Sequence, residues 1–236
     1  MKPFTLIYCC CVLLFSCENK SGIQPKTTNK STNGFILNGT IENFSPTKIY
    51  LNKINKNTIY QVDSAVIENN KFMFQGILKY PERFVLSFDS HSATIVIILE
   101  NKPINILIDA NSMNEPIIKG SPLNITLNSY KNTSKEIFRK IDYLYPKFQK
   151  ARLQNDVKKL EEIGTELKKI ENEFTNFSYD FIENNTNSFI APIILSDQLK
   201  TSIIDTLRIK QSYQSLSNEV KKSPDAMLIA TTLNLH

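Results

Sequence analysis

The chain has 236 residues, 41% of them hydrophobic and 22% charged, with 28 basic against 23 acidic side chains and a formal net charge of +5. Such a composition supports a real hydrophobic core, and the length suits one or two domains. The positive excess is mild and scattered, which fits solubility and argues against nucleic acid as a partner.

The first seventeen residues, MKPFTLIYCCCVLLFSC, set Lys2 ahead of a short apolar run that ends at Cys17. A membrane-spanning helix needs roughly 20 apolar residues, so residues 1–16 read as a secretory signal peptide that is removed. Leu14-Phe15-Ser16-Cys17 resembles the lipobox of bacterial lipoproteins. That resemblance implies cleavage just before Cys17 and acylation of its thiol, leaving a lipid-anchored exported protein. Glu18 stands where an Asp would signal inner-membrane retention, so the outer membrane, facing the periplasm or the surface, is the expected address. The other three cysteines, Cys9, Cys10 and Cys11, fall in the leader. The mature chain would then offer no thiol for a disulfide, a redox couple or a thiolate metal site.

Residues 17–33 are polar and show no apolar period, which predicts a flexible tether. The sixteen residues after Cys17 would span roughly 20–25 Å as a random coil. From 34 to 120 the pattern alternates with period two and is rich in Ile, Val, Phe and Tyr. It predicts strands over 35–41, 48–54, 60–68, 71–78, 83–88, 94–100, 104–109 and 116–119. Asn69-Asn70 tolerates left-handed backbone angles and should close a tight hairpin. Eight short strands without intervening helices predict an antiparallel β-sandwich or open barrel.

Past Gly120-Ser121-Pro122 the period becomes helical, and residues 121–236 read as a helical extension, giving an α+β chain. Ile137, Ile141, Leu144 and Phe148 mark a first helix, which Pro146 should kink or end near Leu144. Val157, Leu160, Ile163, Leu167, Ile170, Phe174, Phe177 and Phe181 mark a second, capped by Asn155-Asp156. Shorter helices are expected over 188–199, 205–216 and 224–234.

Several stretches in this order resemble the N-terminal domain of unknown function found in thioredoxin-like lipoproteins of Gram-negative bacteria. They are Phe35-Ile36-Leu37-Asn38-Gly39-Thr40-Ile41, Lys48-Ile49-Tyr50-Leu51 and Val62-Asp63-Ser64-Ala65. Asn70-Lys71-Phe72-Met73-Phe74-Gln75-Gly76 with Pro81 follows, then Ile97-Ile98-Leu99-Glu100 and the junction from Lys119-Gly120-Ser121 to Tyr130. The resemblance covers residues 34–130, and the helical part resembles the bridge that leads to a thioredoxin domain. No Cys-x-x-Cys domain follows here, so no catalytic residue is carried over. The resemblance thus implies a non-catalytic accessory or binding module, or else a truncated or split thioredoxin-like disulfide oxidoreductase lacking its catalytic part.

Other constellations are weaker. Ser90-His91-Ser92 with Asp89 supplies the residue types of a hydrolytic triad, but neighbours on one loop rarely converge as nucleophile, base and orienter. The oxygen-rich stretch from Asp109 to Glu115 lacks the alternation and central Gly of a calcium loop. Asp180 and Glu183 read as an exposed helix edge. Tyr143, Tyr145, Phe148, Phe174, Phe177 and Phe181 read as core between helices rather than as a groove. Asp63-Ser64-Ala65 and Asp205-Thr206-Leu207 resemble a short bacterial O-glycosylation acceptor, marking Ser64 and Thr206. No cofactor or metal is expected; the expected partners are the membrane, through the lipid anchor, and a protein of the cell envelope.

Overall fold

A computed structural model describes residues 33–55, 58–201 and 204–235. The leader, Cys17 and all of the tether but Asn33 lie outside the described residues. Eight strands come first: β1 (Phe35–Glu42), β2 (Lys48–Asn55), β3 (Thr58–Val66), β4 (Lys71–Gly76), β5 (Glu82–Phe88), β6 (Ile95–Leu99), β7 (Pro103–Asp109) and β8 (Ile117–Lys119). Five helices follow: α1 (Pro122–Leu153), α2 (Val157–Asn184), α3 (Ile190–Gln198), α4 (Thr206–Ser215) and α5 (Pro224–Leu233).

The strands form two four-stranded sheets, ordered β4-β1-β7-β8 and β3-β2-β5-β6, and neither closes into a barrel. Alternation places Leu37, Ile41, Phe74, Ile104 and Ile108 of the first sheet against Ile49, Leu86, Ile97 and Leu99 of the second, forming one core. Gly39 lies opposite Phe72 in the β1–β4 ladder, and a Cβ there would fall 1.9 Å from the Phe72 ring. The ring fills the slot that the glycine leaves in the core.

One pair departs from the antiparallel expectation. β1 runs parallel to β7, from Ile36↔Pro103 to Glu42↔Asp109. The Asn69-Asn70 turn forms as expected, with φ of 51° and 61° and paired hydrogen bonds between Glu68 and Lys71. It closes a corner, however, rather than a ladder, because β3 continues into one sheet and β4 into the other.

β6 reads Ile-Val-Ile-Ile-Leu because both its faces are covered. Ile95, Ile97 and Leu99 enter the sandwich core, whereas Ile98 and Val96 pack with the helices. The helical layer centres on α3, eight of whose nine residues are buried, as its apolar run Ile190–Leu195 requires. Ile190, Ile194, Leu195, Ile209 and Ile229 complete this second core. No helix among the described residues is long and apolar enough to cross a membrane.

α1 is joined to the sandwich by a buried polar network. Ser121 caps the helix and donates to Glu100 Oε1 at 2.6 Å, and Pro122 occupies the first turn. The Asn124 side chain accepts from Ile98 N at 3.0 Å and donates to Ile98 O at 2.7 Å, acting as a substitute strand on the free edge of β6.

α1 and α2 then leave the core as an antiparallel hairpin, about 48 and 42 Å long at 1.5 Å per residue. Asn155 at φ 51° and the Asp156 cap, which accepts from Lys159 N at 3.0 Å, make the turn. Of the two outcomes expected at Pro146, the helix does not end there: α1 runs through it to Leu153. The proline removes one N–H, but Asp142, whose carbonyl loses that donor, is exposed, so water can serve it.

Candidate functional site

A second polar cluster between the two layers, apart from the Asn124 network, centres on Arg83. This residue stands on the outer face of β5, with Val85 next on the same face and Ile98 its partner on β6. From there the guanidinium reaches the helical layer. It donates two hydrogen bonds to Asp197 of α3, at 2.6 and 2.9 Å, and lies 3.9 Å from Asp225 of α5. Ser196 donates to Asp225 Oδ1 at 2.8 Å, and Lys200 approaches Asp197 at 3.0 Å.

The two carboxylates respond in opposite directions. Burial works against the Asp197 charge, but the Arg83 hydrogen bonds and charge outweigh it and hold the acid below its ordinary range. Burial dominates at Asp225 and raises it, against the opposing pull of the Ser196 hydroxyl and Arg83. Arg83 loses hydration on burial, yet its two acids keep it firmly protonated.

Above this cluster opens a cleft of about 470 Å³, between the end of β2, the start of β3, the start of β5 and α5. Arg83 and Asp225 form its polar part, and Ile54, Tyr60, Met227 and Leu228 are exposed apolar side chains along it. Lys53 and Glu82, which also line the cleft, pair with each other, with the ammonium 5.2 Å from the Phe84 ring centre. β3 borders the cleft and is the free edge of its sheet; every one of its residues is exposed except the half-buried Ala65. Ile59, Tyr60, Val62 and Val66 all reach solvent there, and Asp63 is the strand's one charge. An open edge with this much apolar surface and so little charge is the kind of strand that accepts another.

The residues singled out from sequence lie elsewhere. Ser64 is exposed on β3, and Thr206 is exposed in the first turn of α4 beside the Asp205 cap. The loop at His91 does not assemble a triad. Ala93 N donates to His91 Nδ1 at 3.0 Å, while Asp89 accepts from the backbone of Thr47 and Lys48, both at 3.2 Å, and from the Thr47 hydroxyl. The Thr47 hydroxyl leads in holding Asp89 below the ordinary range, so this acid braces the start of β2 instead of orienting the imidazole.

Asp109 caps a 3-10 turn, accepting from Asn111 N at 2.9 Å and from the Asn43 amide at 2.7 Å. Among the described residues no three His, Cys, Asp or Glu side chains gather as a metal site needs. Asp180 and Glu183 are exposed.

The aromatic expectation divides. Phe174, Phe177 and Phe181 pack around Tyr130, whose ring stacks 5.2 Å from Phe177 and whose hydroxyl meets Ser178 Oγ at 2.8 Å. Tyr143 and Tyr145, expected in the core, are 71% and 60% exposed, because the hairpin has left the body of the protein by that point.

Sequence reasoning passed over Arg83, Asp197 and Asp225. A signal was present in Arg83, a cation at the start of the strand run Phe84-Val85-Leu86, which must find a partner on burial. Asp225 was masked by its position, since an acid two residues past Ser223 reads as a helix N-terminal residue.

Residues 35–127 match the family model of a domain of unknown function (DUF4369), in agreement with the expected N-terminal domain. The match runs through the Glu100–Ser121–Asn124 network into the first turns of α1. No curated protein and no solved structure matches the chain.

Proposed function

We propose that this chain is a lipid-anchored accessory lipoprotein of the cell envelope that binds a protein partner and performs no chemistry of its own. The anchored reading is supported by the Leu14-Phe15-Ser16-Cys17 sequence, with Cys17 carrying the acyl chains. The single observation behind the binding reading is the contrast within the cleft. Its ions are already neutralised by one another, whereas Ile54, Tyr60, Met227 and Leu228 and the edge of β3 remain uncovered. A surface of this kind gains from an extended segment that adds to β3 and places apolar side chains beside α5.

The sequence resemblance supports a second reading, in which the chain is one part of a thioredoxin-like oxidoreductase whose dithiol lies on a separate polypeptide. The two readings share the cleft and differ in what fills it.

Photocrosslinking from position 227 of the acylated full-length protein in envelopes tests this. A discrete adduct that Ile54→Asp abolishes, and that a crosslinker at the exposed Ile117 on β8 does not form, is the expected result. Equal adducts from both positions would contradict the cleft. An adduct carrying Cys-x-x-Cys would favour the second reading.

A further inference from the structure

We infer that the free end of the α1–α2 hairpin docks onto an anionic phospholipid surface. Leu153 and Val157 flank the turn between the helices and are 86% and 66% exposed. Leu153 is the most exposed large apolar side chain among the described residues. Leu153 and Val157 both face away from the seam along which the same helices bury Ile137, Ala151, Ile163 and Ile170.

Charge selects the occupant. Residues 143–159 carry Lys147, Lys150, Arg152, Lys158 and Lys159 against Asp156 alone, a local net charge of +4, with Asp142 before this stretch and Glu161 and Glu162 just after it. Asp156 is committed to the cap of α2, and only Lys159 forms an ion pair, with Glu162. Among the described residues Lys147, Lys150, Arg152 and Lys158 enter no ion pair, whereas Arg139 and Lys140, higher on α1, do.

Two exposed apolar side chains with four cations outside ion pairs close to them in the chain suit the boundary of an anionic bilayer. The apolar groups enter the acyl region and the cations meet phosphate. The inference rests on the anchored reading only for the nearness of a bilayer. There a weak contact becomes effective because the tether keeps its local concentration high.

The chain contains no tryptophan, so Leu153→Trp in the full-length protein gives a single tryptophan, at the tip, which can be excited apart from the tyrosines. Its emission is expected to shift to the blue with vesicles of mixed phosphatidylglycerol and phosphatidylcholine, and to be quenched by brominated lipid. Pure phosphatidylcholine should leave it unchanged. Adding Lys150→Gln, Arg152→Gln and Lys158→Gln should weaken the inserted fraction about fivefold per charge removed.

An unshifted spectrum on anionic vesicles, or an equal shift on both kinds, overturns the inference. So does a shift that grows with protein concentration without lipid, which would assign the tip to a second copy. Flotation separates the two claims. An acylated chain floats on both vesicle types whatever its tip does, and failure to float on phosphatidylcholine sinks the anchor alone.

Discussion

Asp225 and Asp197 sit on either side of one guanidinium, and their opposite shifts make the pH dependence of stability a test of the cluster. An acid raised above its ordinary value of 3.8 costs nothing below that pH and progressively destabilises the fold as pH climbs through its shifted range. A lowered acid contributes stability that is lost as pH falls through its own shifted range. Asp225→Asn removes only the first contribution, and its amide oxygen can still accept from Ser196. Chemical denaturation should therefore show the variant gaining on the parent protein from pH 4 towards neutrality, and the two converging below. Parallel curves across that range would mean that Asp225 is not held up by burial.

Gly39 gives a second test at this scale. Its alanine variant must displace the Phe72 ring, at a cost of about 2 kcal/mol, typical of overpacking in a well-filled core. An unchanged denaturation midpoint would contradict the packing. Neither residue's role was legible in the sequence. Gly39 looks like a weak point in a strand until its cross-strand neighbour is known, and Arg83 and Asp225 lie far apart in the chain.

Elements were far more legible than their pairings. Alternation located most of the eight strands because they bury one face or both, and that burial is written into every second residue, whereas β3, exposed almost throughout, was legible only from its β-branched and aromatic residues. Partner choice is not local. Nothing in Phe35–Glu42 announces a parallel neighbour at Pro103–Asp109, and the Asn69-Asn70 turn is equally compatible with a ladder or a corner. At Pro146 the local rule left a kink or an end open, and the helix does not end because it is long and the carbonyl that loses its donor is on an exposed face.

The start of α1 is where an element depends most on one side chain. Asn124 satisfies both backbone groups of Ile98 in a buried setting. Asn124→Ala leaves an N–H and a C=O unpaired, and the expected destabilisation is about 3 kcal/mol from two unsatisfied groups. Amide exchange at Ile98 should accelerate with it. Retained protection at Ile98 would show that the side chain is not the edge partner of β6.

At the scale of the whole molecule, two cores share a single sheet. β6 feeds both, and the Arg83 cluster and the Asn124 bridge are polar pins through the same boundary. The continuous apolar run of Ile95–Leu99 was the sequence sign that something covers the far face of this sheet, though not that helices do. Among the surfaces the arrangement leaves uncovered in the described residues are the β3–α5 cleft and the hairpin tip. Both acquire a purpose if the protein is held at a membrane, and that condition depends on one sulfur.

Intact-mass spectrometry of the protein purified from envelopes tests it most directly. The account predicts a polypeptide beginning at Cys17 and heavier than its sequence by three acyl chains and a glycerol backbone, and a Cys17→Ser chain that is not processed to this species. A mature form beginning at any other residue, or beginning at Cys17 without added mass, would contradict it.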